Sequence, residues 1–136
     1  IVGIRRKARV LAFQTIYSWD INNESIAELL EFSWKKEEIN SDVAGFARLL
    51  AAGTVENLPE IDQLLKNNIK NWEFDRLAKV DLAILRTSVF EMKYQNDVPA
   101  GVTINEAIEI AKSFGADDSY KFINGVLDNI RRTEIN

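Results

Sequence analysis

The sequence predicts an all-α protein of about seven helices, and three observations support that fold class. Apolar residues recur at spacings of three and four along most of the chain, which is the period of an amphipathic helix. No segment alternates polar and apolar residues between hairpin turns, as a strand would. Only two prolines, Pro59 and Pro99, interrupt the 136 residues. Because no repeat or low-complexity stretch divides the chain, we predict a single domain over residues 1–136.

The first three helices are predicted from their apolar stripes and their capping residues. The first spans about residues 5–19, where the apolar positions fall on one side. The second spans residues 25–34 and opens with a capping box, in which the Ser25 hydroxyl and the Glu28 carboxylate accept hydrogen bonds from free backbone N–H groups. The third spans residues 41–55 and is predicted to be capped by its first residue, a serine.

The middle of the chain contains the helix that we expect to be central. Pro59 is suited to the first turn of a fourth helix, because proline has no N–H to leave unpaired there. Its core face is predicted to contain Ile61, Leu64, Leu65 and Ile69. Residues 80–94 are apolar on more than one side, which is typical of a helix buried in the middle of a bundle.

The C-terminal third predicts two further helices joined by a short turn. A second capping box opens a helix over residues 103–114, with Glu106 as its carboxylate. Gly115 follows, where a left-handed C-terminal cap is expected. One of the next two aspartates then caps the last helix, which continues to about Ile130.

The composition excludes several kinds of chemistry. Cysteine and histidine are both absent, so the chain has neither a thiolate nucleophile nor the commonest general base near neutral pH. Adjacent carboxylates such as Glu37-Glu38 and Asp117-Asp118 do not face each other on a helix. Glycine-rich loops for nucleotide phosphates are missing too. We therefore expect no catalytic residue, no metal site and no cofactor, and the protein is predicted not to be an enzyme.

The sequence contains no recognisable membrane-spanning segment or secretory signal. No apolar run approaches the roughly 18 residues of a membrane span. The start of the chain lacks the basic-then-apolar order of a secretory signal. The expected location is the cytoplasm.

A basic cluster at the start of the first helix is the main candidate site. Arg5, Arg6, Lys7 and Arg9 precede any acidic residue, although the whole chain has a net charge of −4. Cations at a helix N-terminus are unfavourable to the helix dipole, so the cluster does not stabilise its own helix. Guanidinium groups grip phosphate through two hydrogen bonds and stack on unpaired bases. We predict that these four residues bind RNA, the alternative being a charge run that only contacts solvent.

The turn from Phe114 to Phe122 is a second candidate site. Gly115 lets the backbone bend, Lys121 adds a cation, and Phe122 offers a ring on which a base could stack. We predict that Lys121 and Phe122 bind RNA. The alternative is structural, with Gly115 only ending a helix and Phe122 lying in the core.

Several segments, in order along the chain, resemble the NusB family of bacterial transcription antitermination factors. The C-terminal third carries the most specific part of the resemblance. The matching segments are residues 5–9 with Gln14 and 17–19, residues 80–86 with Glu91, residues 97–99, residues 104–109, residues 112–115 and residues 121–128.

The resemblance implies a compact helical fold in two subdomains and a role in transcription. It implies binding to single-stranded boxA-type RNA together with the ribosomal protein NusE, within a complex that helps RNA polymerase read through terminators in ribosomal RNA operons. It also places Tyr17 and Asp81 on or near the surface that faces NusE. Both have structural alternatives, since Asp81 suits a helix N-terminus and Tyr17 could be half-buried.

Two other functions remain open at this point. The chain could be the helical RNA-binding domain of a ribosomal RNA cytosine methyltransferase. It could instead be a helical adaptor without RNA affinity, or a homodimer. Light scattering and a salt-dependent RNA titration would distinguish these.

Overall fold

The computed structural model describes residues 3–135, and within that range it contains eight helices and no strand. The all-α prediction is confirmed, with one helix more than the expected seven because residues 71–74 form a short helix of their own. The helices are α1 (Ile4–Asn22), α2 (Ile26–Leu29), α3 (Ser41–Glu56), α4 (Leu58–Asn68), α5 (Asn71–Phe74), α6 (Lys79–Tyr94), α7 (Ala100–Phe114) and α8 (Ser119–Glu134).

The central helix α6 organises the fold, as its apolar pattern predicts. Every residue from Asp81 to Met92 is buried. Helices α1 and α3 pack together on one side of α6, while α4, α7 and α8 surround its other sides. The bundle therefore has two groups of helices that share α6. Helix α3 comes so close that a Cβ at Gly53 would overlap the ring of Phe90 on α6.

Helix α2 is much shorter than the prediction. It ends at Leu29, because Phe32 adopts a positive φ of 59° and its ring is buried. The Trp34 indole N–H then donates to the carbonyl of Leu29 at 2.8 Å, which closes the turn. Ser25 makes no side-chain hydrogen bond at the start of α2, so the capping box predicted there is wrong.

The start of α3 is capped one residue earlier than predicted. The side-chain oxygen of Asn40 accepts hydrogen bonds from the backbone N–H groups of Asp42 at 2.8 Å and Val43 at 3.4 Å. Ser41 is instead the first residue of the helix. At α4, Pro59 does lie in the first turn, as predicted.

The capping box predicted at residues 103–106 is also wrong. Helix α7 begins at Ala100, directly after Pro99, so Thr103 lies buried within the helix. The Glu106 carboxylate bonds to arginines of α1 rather than to the backbone. The sequence pattern of a capping box is present, but the helix begins earlier and Glu106 pairs with α1 instead.

Gly115 ends α7 for a steric reason rather than a conformational one. Its backbone is extended, with φ −92° and ψ −179°, so the left-handed conformation predicted from the sequence is wrong. A Cβ there would lie 2.9 Å from both the Ser119 Cβ and the Ala111 carbonyl oxygen. Asp118 precedes α8 but makes no side-chain capping bond.

Candidate nucleic-acid interface

The basic residues at the start of α1 are not equally accessible. Arg5 and Lys7 are exposed, Arg6 is partly exposed, and Arg9 is only 8% exposed. The structure thus divides the predicted cluster into an outer part and an inner part. The inner part is held by two glutamates, from α6 and α7, that are distant in the sequence.

Arg9 lies in the core as part of a buried ion pair. Its Nη2 is 2.6 Å from Oε2 of Glu91 and its Nε is 2.9 Å from Oε1 of the same carboxylate. Glu91 is 1% exposed. A buried charge needs a partner, because an unpaired one loses its hydration without compensation. The expectation that Arg9 belongs to an open cationic patch is therefore wrong, and its guanidinium connects α1 to α6.

The charge of Arg9 is kept by its partners. Burial alone would lower the pKa of Arg9, but the hydrogen bond and charge of Glu91 outweigh burial and hold that pKa above its ordinary value. Glu106 on α7 adds a third member, with its Oε1 3.4 Å from Nη1 of Arg9. Residues of α1, α6 and α7 thus meet in one charged cluster inside the bundle.

Arg6 makes the outer contact of that cluster. Its Nη2 and Nε donate to the two oxygens of Glu106 at 2.6 and 3.1 Å, in a forked arrangement. The hydrogen bond raises the pKa of Arg6 and lowers the pKa of Glu106. The Arg6 side chain nevertheless stays 43% exposed. It is oriented by Glu106 while one edge remains open to a ligand.

Arg5 and Lys7 form the freely accessible part of the cluster. The Arg5 guanidinium lies 4.0 Å from the centre of the Phe46 ring, which fixes its position by a cation–π contact. Within residues 3–135, Lys7 makes no ion pair. The accessible cationic surface is therefore Arg5, Lys7 and the outer edge of Arg6, which we call the basic tip.

The turn between α7 and α8 places Lys121 and Phe122 differently from each other. The Lys121 side chain is 68% exposed, and its Nζ is 3.9 Å from Oδ1 of Asp118. Phe122 is partly buried and packs against the core. Lys121 is thus available to a phosphate, whereas much of the Phe122 ring serves packing. Their RNA-binding roles stay predictions.

Phe114 is an exposed aromatic residue that the sequence reasoning did not single out. It ends α7, is 45% exposed, and makes an edge-on contact with Phe13 of α1 at 5.2 Å between ring centres. Side chains connect α1 to α7 at two points in the same order along both helices, since Arg6 contacts Glu106 and Phe13 contacts Phe114. Eight residues of helix separate the two contacts on α7, about 12 Å. The basic tip and the turn thus lie at the two ends of one face.

Asp81 and Tyr17 are less exposed than a partner-binding prediction would suggest. Asp81 is 8% exposed, and its Oδ2 accepts a hydrogen bond of 3.0 Å from the Ser119 hydroxyl. That hydroxyl in turn accepts from the N–H of Ala116 at 3.1 Å. Burial raises the pKa of Asp81, and the Ser119 bond only partly opposes it. Tyr17 is half-buried against the core. Asp81 therefore anchors the α7–α8 turn, and the partner roles of both residues stay predictions.

Asp81 also has one oxygen without a partner. Its Oδ1 is buried and makes no hydrogen bond among the described residues.

Within residues 3–135, no group of three potential metal ligands comes together. None of the helices described combines the length and the apolarity that a membrane crossing requires.

The all-α fold and the basic tip define a small helical protein that offers cations at a helix start to an anionic ligand. The sequence pattern of the NusB family matches residues 6–132, and the chain belongs to this family. The family predicted from the sequence is thereby confirmed.

Relatives of this family cover almost the whole chain. The transcription antitermination protein NusB of Treponema denticola is 48% identical over 129 residues, which are 93% of this chain and 95% of the relative. The protein of the same name from Treponema pallidum (strain Nichols) is 45% identical over 131 residues, covering 95% and 93%.

Solved structures agree with the fold. The structure of NusB from T. maritima is similar with a TM-score of 0.89 at 34% identity, covering 100% of this chain and 96% of that one. A chain in the crystal structure of the antitermination factors NusB and NusE in complex with dsRNA is similar with a TM-score of 0.86 at 28% identity. The coverage there is 97% and 98%.

Proposed function

We propose that this chain is a transcription antitermination factor that binds single-stranded boxA-type RNA together with the ribosomal protein NusE. In that role it supports read-through by RNA polymerase in ribosomal RNA operons. Membership of the NusB family and the names of its relatives support the role. The similar chain crystallised with NusE and dsRNA supports RNA and NusE as partners. The observation in this molecule that carries the proposal is the basic tip.

The basic tip suits an RNA backbone for electrostatic reasons. Arg5 and Lys7 project from a helix start whose dipole already favours anions. Arg6 keeps an open edge and a fixed orientation through Glu106. With three phosphate contacts to a single strand, the slope of log affinity against log salt should be about −2, roughly 0.7 for each phosphate. Affinity for RNA alone is therefore modest, and NusE supplies further surface.

Tyr17 and Asp81 are proposed to serve the NusE side of the complex. Asp81 lies in the first turn of α6 and holds the α7–α8 turn through the Ser119 hydroxyl, so we propose that it acts by positioning the backbone of that turn. We further propose that the protein is cytoplasmic, that residues 1–136 form a single domain and that it catalyses no reaction. A homodimer also stays a prediction, to be tested by light scattering.

The methyltransferase alternative has less support. The relatives with 48% and 45% identity are both named transcription antitermination proteins, not methyltransferases. A non-binding adaptor would not need exposed cations at the start of α1. We therefore favour the antitermination factor.

The test is a fluorescence anisotropy titration of boxA-like and scrambled RNA, with and without NusE. The variant Arg5→Glu/Lys7→Glu should bind RNA at least about tenfold more weakly, since charge-assisted contacts to phosphate are worth about 1.5–3 kcal/mol each. Lys36→Glu/Arg76→Glu is the matched control, because it reverses the same number of charges at two exposed positions outside the basic tip. Equal affinity of all three proteins for RNA, or equal affinity for boxA-like and scrambled RNA with NusE present, would refute the proposal.

A further inference from the structure

A groove away from the basic tip combines an exposed indole with cations. It lies between the end of α4, the short helix α5 and α8, and has a volume of about 660 Å³. Lys66, Lys70, Trp72 and Asn129 are among its lining residues. No acidic residue lines it. On a chain whose isoelectric point is about 4.9, such a surface differs from its surroundings.

Trp72 is presented outward from a fixed backbone. It is 59% exposed, whereas Phe74, two residues later on α5, is 9% exposed and joins the core. The buried ring anchors the short helix, and the indole remains open to solvent. An accessible aromatic face is the usual platform on which unpaired bases stack.

Two lysines line the groove together with this indole. Lys70 is exposed and immediately precedes α5. The Nζ of Lys66 lies 5.1 Å from the centre of the Phe74 ring, which keeps the lysine at the groove. On α8, Arg132 Nη2 is 3.4 Å from the side-chain oxygen of Asn129, but its Nε also pairs with Oδ2 of Asp128 at 3.4 Å, so the positive charge of the groove comes from the two lysines.

The opposite wall consists of oriented amides. The Asn129 side-chain N–H donates to Asn68, whose own N–H₂ group donates to the carbonyl of Leu64 at 2.8 Å. Asn67 donates to Glu134 at 3.4 Å. These bonds fix the amides and leave further donor and acceptor capacity on each, because an amide can make up to four hydrogen bonds. Base edges and ribose hydroxyls of RNA can form hydrogen bonds with such amides.

We propose that this groove is a second RNA-binding surface, which takes single-stranded RNA with a base stacked on Trp72 and phosphates beside Lys66 and Lys70. The inference rests on the proposed function and extends it. Asn129 follows Lys121 by eight residues on α8, about 12 Å along the helix. A strand leaving the α7–α8 turn reaches the groove within a few nucleotides.

A protein partner fits the same groove less well. Protein–protein interfaces are centred on apolar and aromatic residues from which charged groups are depleted. Here one indole is flanked by lysines and amides, and Ile69 is buried at 5% exposure. The chemistry therefore favours a polyanion with aromatic bases.

The experiment measures the affinity of the full chain for a fluorescein-labelled 20-nucleotide single-stranded RNA that contains a boxA-like segment. The variants are Trp72→Ala, Trp72→Phe and Lys70→Glu, with Lys36→Glu as the charge-matched control. Trp72→Ala should weaken binding about fivefold or more, the loss expected from one stacked base. Trp72→Phe should retain most of the affinity, and Lys70→Glu should weaken binding more than Lys36→Glu. Thermal unfolding confirms that each variant is folded.

The outcomes separate this inference from the proposed function. If the wild type binds RNA and all Trp72 and Lys70 variants bind as well, the groove is not an RNA site, while the proposed function stands. If Trp72→Ala loses NusE binding at unchanged RNA affinity, the groove is a protein contact and the inference is overturned. If the wild type binds no RNA even with NusE present, the proposed function and the inference both fail. Crosslinking of bromouridine-substituted RNA to the peptide containing Trp72 supports the inference directly.

Discussion

Replacing Arg9 tests whether this arginine belongs to the core or to the RNA surface. The variant Arg9→Leu removes the partner of Glu91, which is 1% exposed and bonded through both oxygens. Removing one member of a buried ion pair costs about 3–5 kcal/mol, because the other charge is left without compensation. In a chain of this size we expect the melting temperature to fall by roughly 10–20 °C.

A second variant makes the interpretation specific. Arg9→Leu/Glu91→Leu removes both charges, and buried pairs replaced by apolar residues are often neutral in stability. We expect the double variant to recover most of the lost unfolding free energy, measured by urea denaturation monitored by circular dichroism. Because neither residue faces solvent, its RNA affinity should stay within about twofold of the wild type, well under the tenfold that 1.4 kcal/mol produces.

Two results would refute this reasoning. An unchanged unfolding free energy for Arg9→Leu would mean that the buried pair contributes nothing. A stable double variant that binds RNA tenfold more weakly would mean that Arg9 contacts RNA after all, as the sequence prediction held.

Two further predictions concern helix packing and pH. Gly53→Ala should lower the unfolding free energy by about 1–3 kcal/mol, since the new methyl group overlaps Phe90. Gly45→Ala is the control and should not destabilise the protein, because nothing lies within 4 Å of its new Cβ. Equal effects of the two substitutions would contradict the packing argument. The Arg6 hydrogen bond lowers the pKa of Glu106 below its ordinary value of 4.5, so its stabilising contribution is present above that pH and is lost as the pH falls through the lowered pKa. The stability difference between the wild type and Glu106→Gln should therefore shrink on acidification in denaturant titrations, and a difference independent of pH would count against the pair.

Much of the fold could be predicted because the long helices carry periodic apolar patterns. Helix α6 was predicted within one residue at its start, since its apolar residues cover several faces. Pro59 correctly marked the first turn of α4. The capping boxes failed at Ser25 and Thr103, because each is a local pattern that other arrangements of the chain outcompete. Thr103 cannot cap α7, because the helix begins three residues earlier, at Ala100.

The site was harder to predict because its residues meet only in three dimensions. Arg9 and Glu91 are 82 positions apart, and sequence spacing cannot pair them. One signal is present, since Glu91 is an acid inside the helix that the sequence predicts to be central and buried, where it needs a cation. The outward position of Trp72 could not be read from the sequence either, because α5 is a single turn without a measurable period.

The shared carboxylate of Glu106 holds the first turns of α1 in place before a ligand binds. The first turn of a helix often frays, and a ligand must then order it at an entropic penalty. Here Arg6 and Arg9, one turn of α1, are both fastened to α7 through one glutamate. Their neighbours Arg5 and Lys7 therefore project from a stiff base, so little backbone freedom is lost when an anion docks.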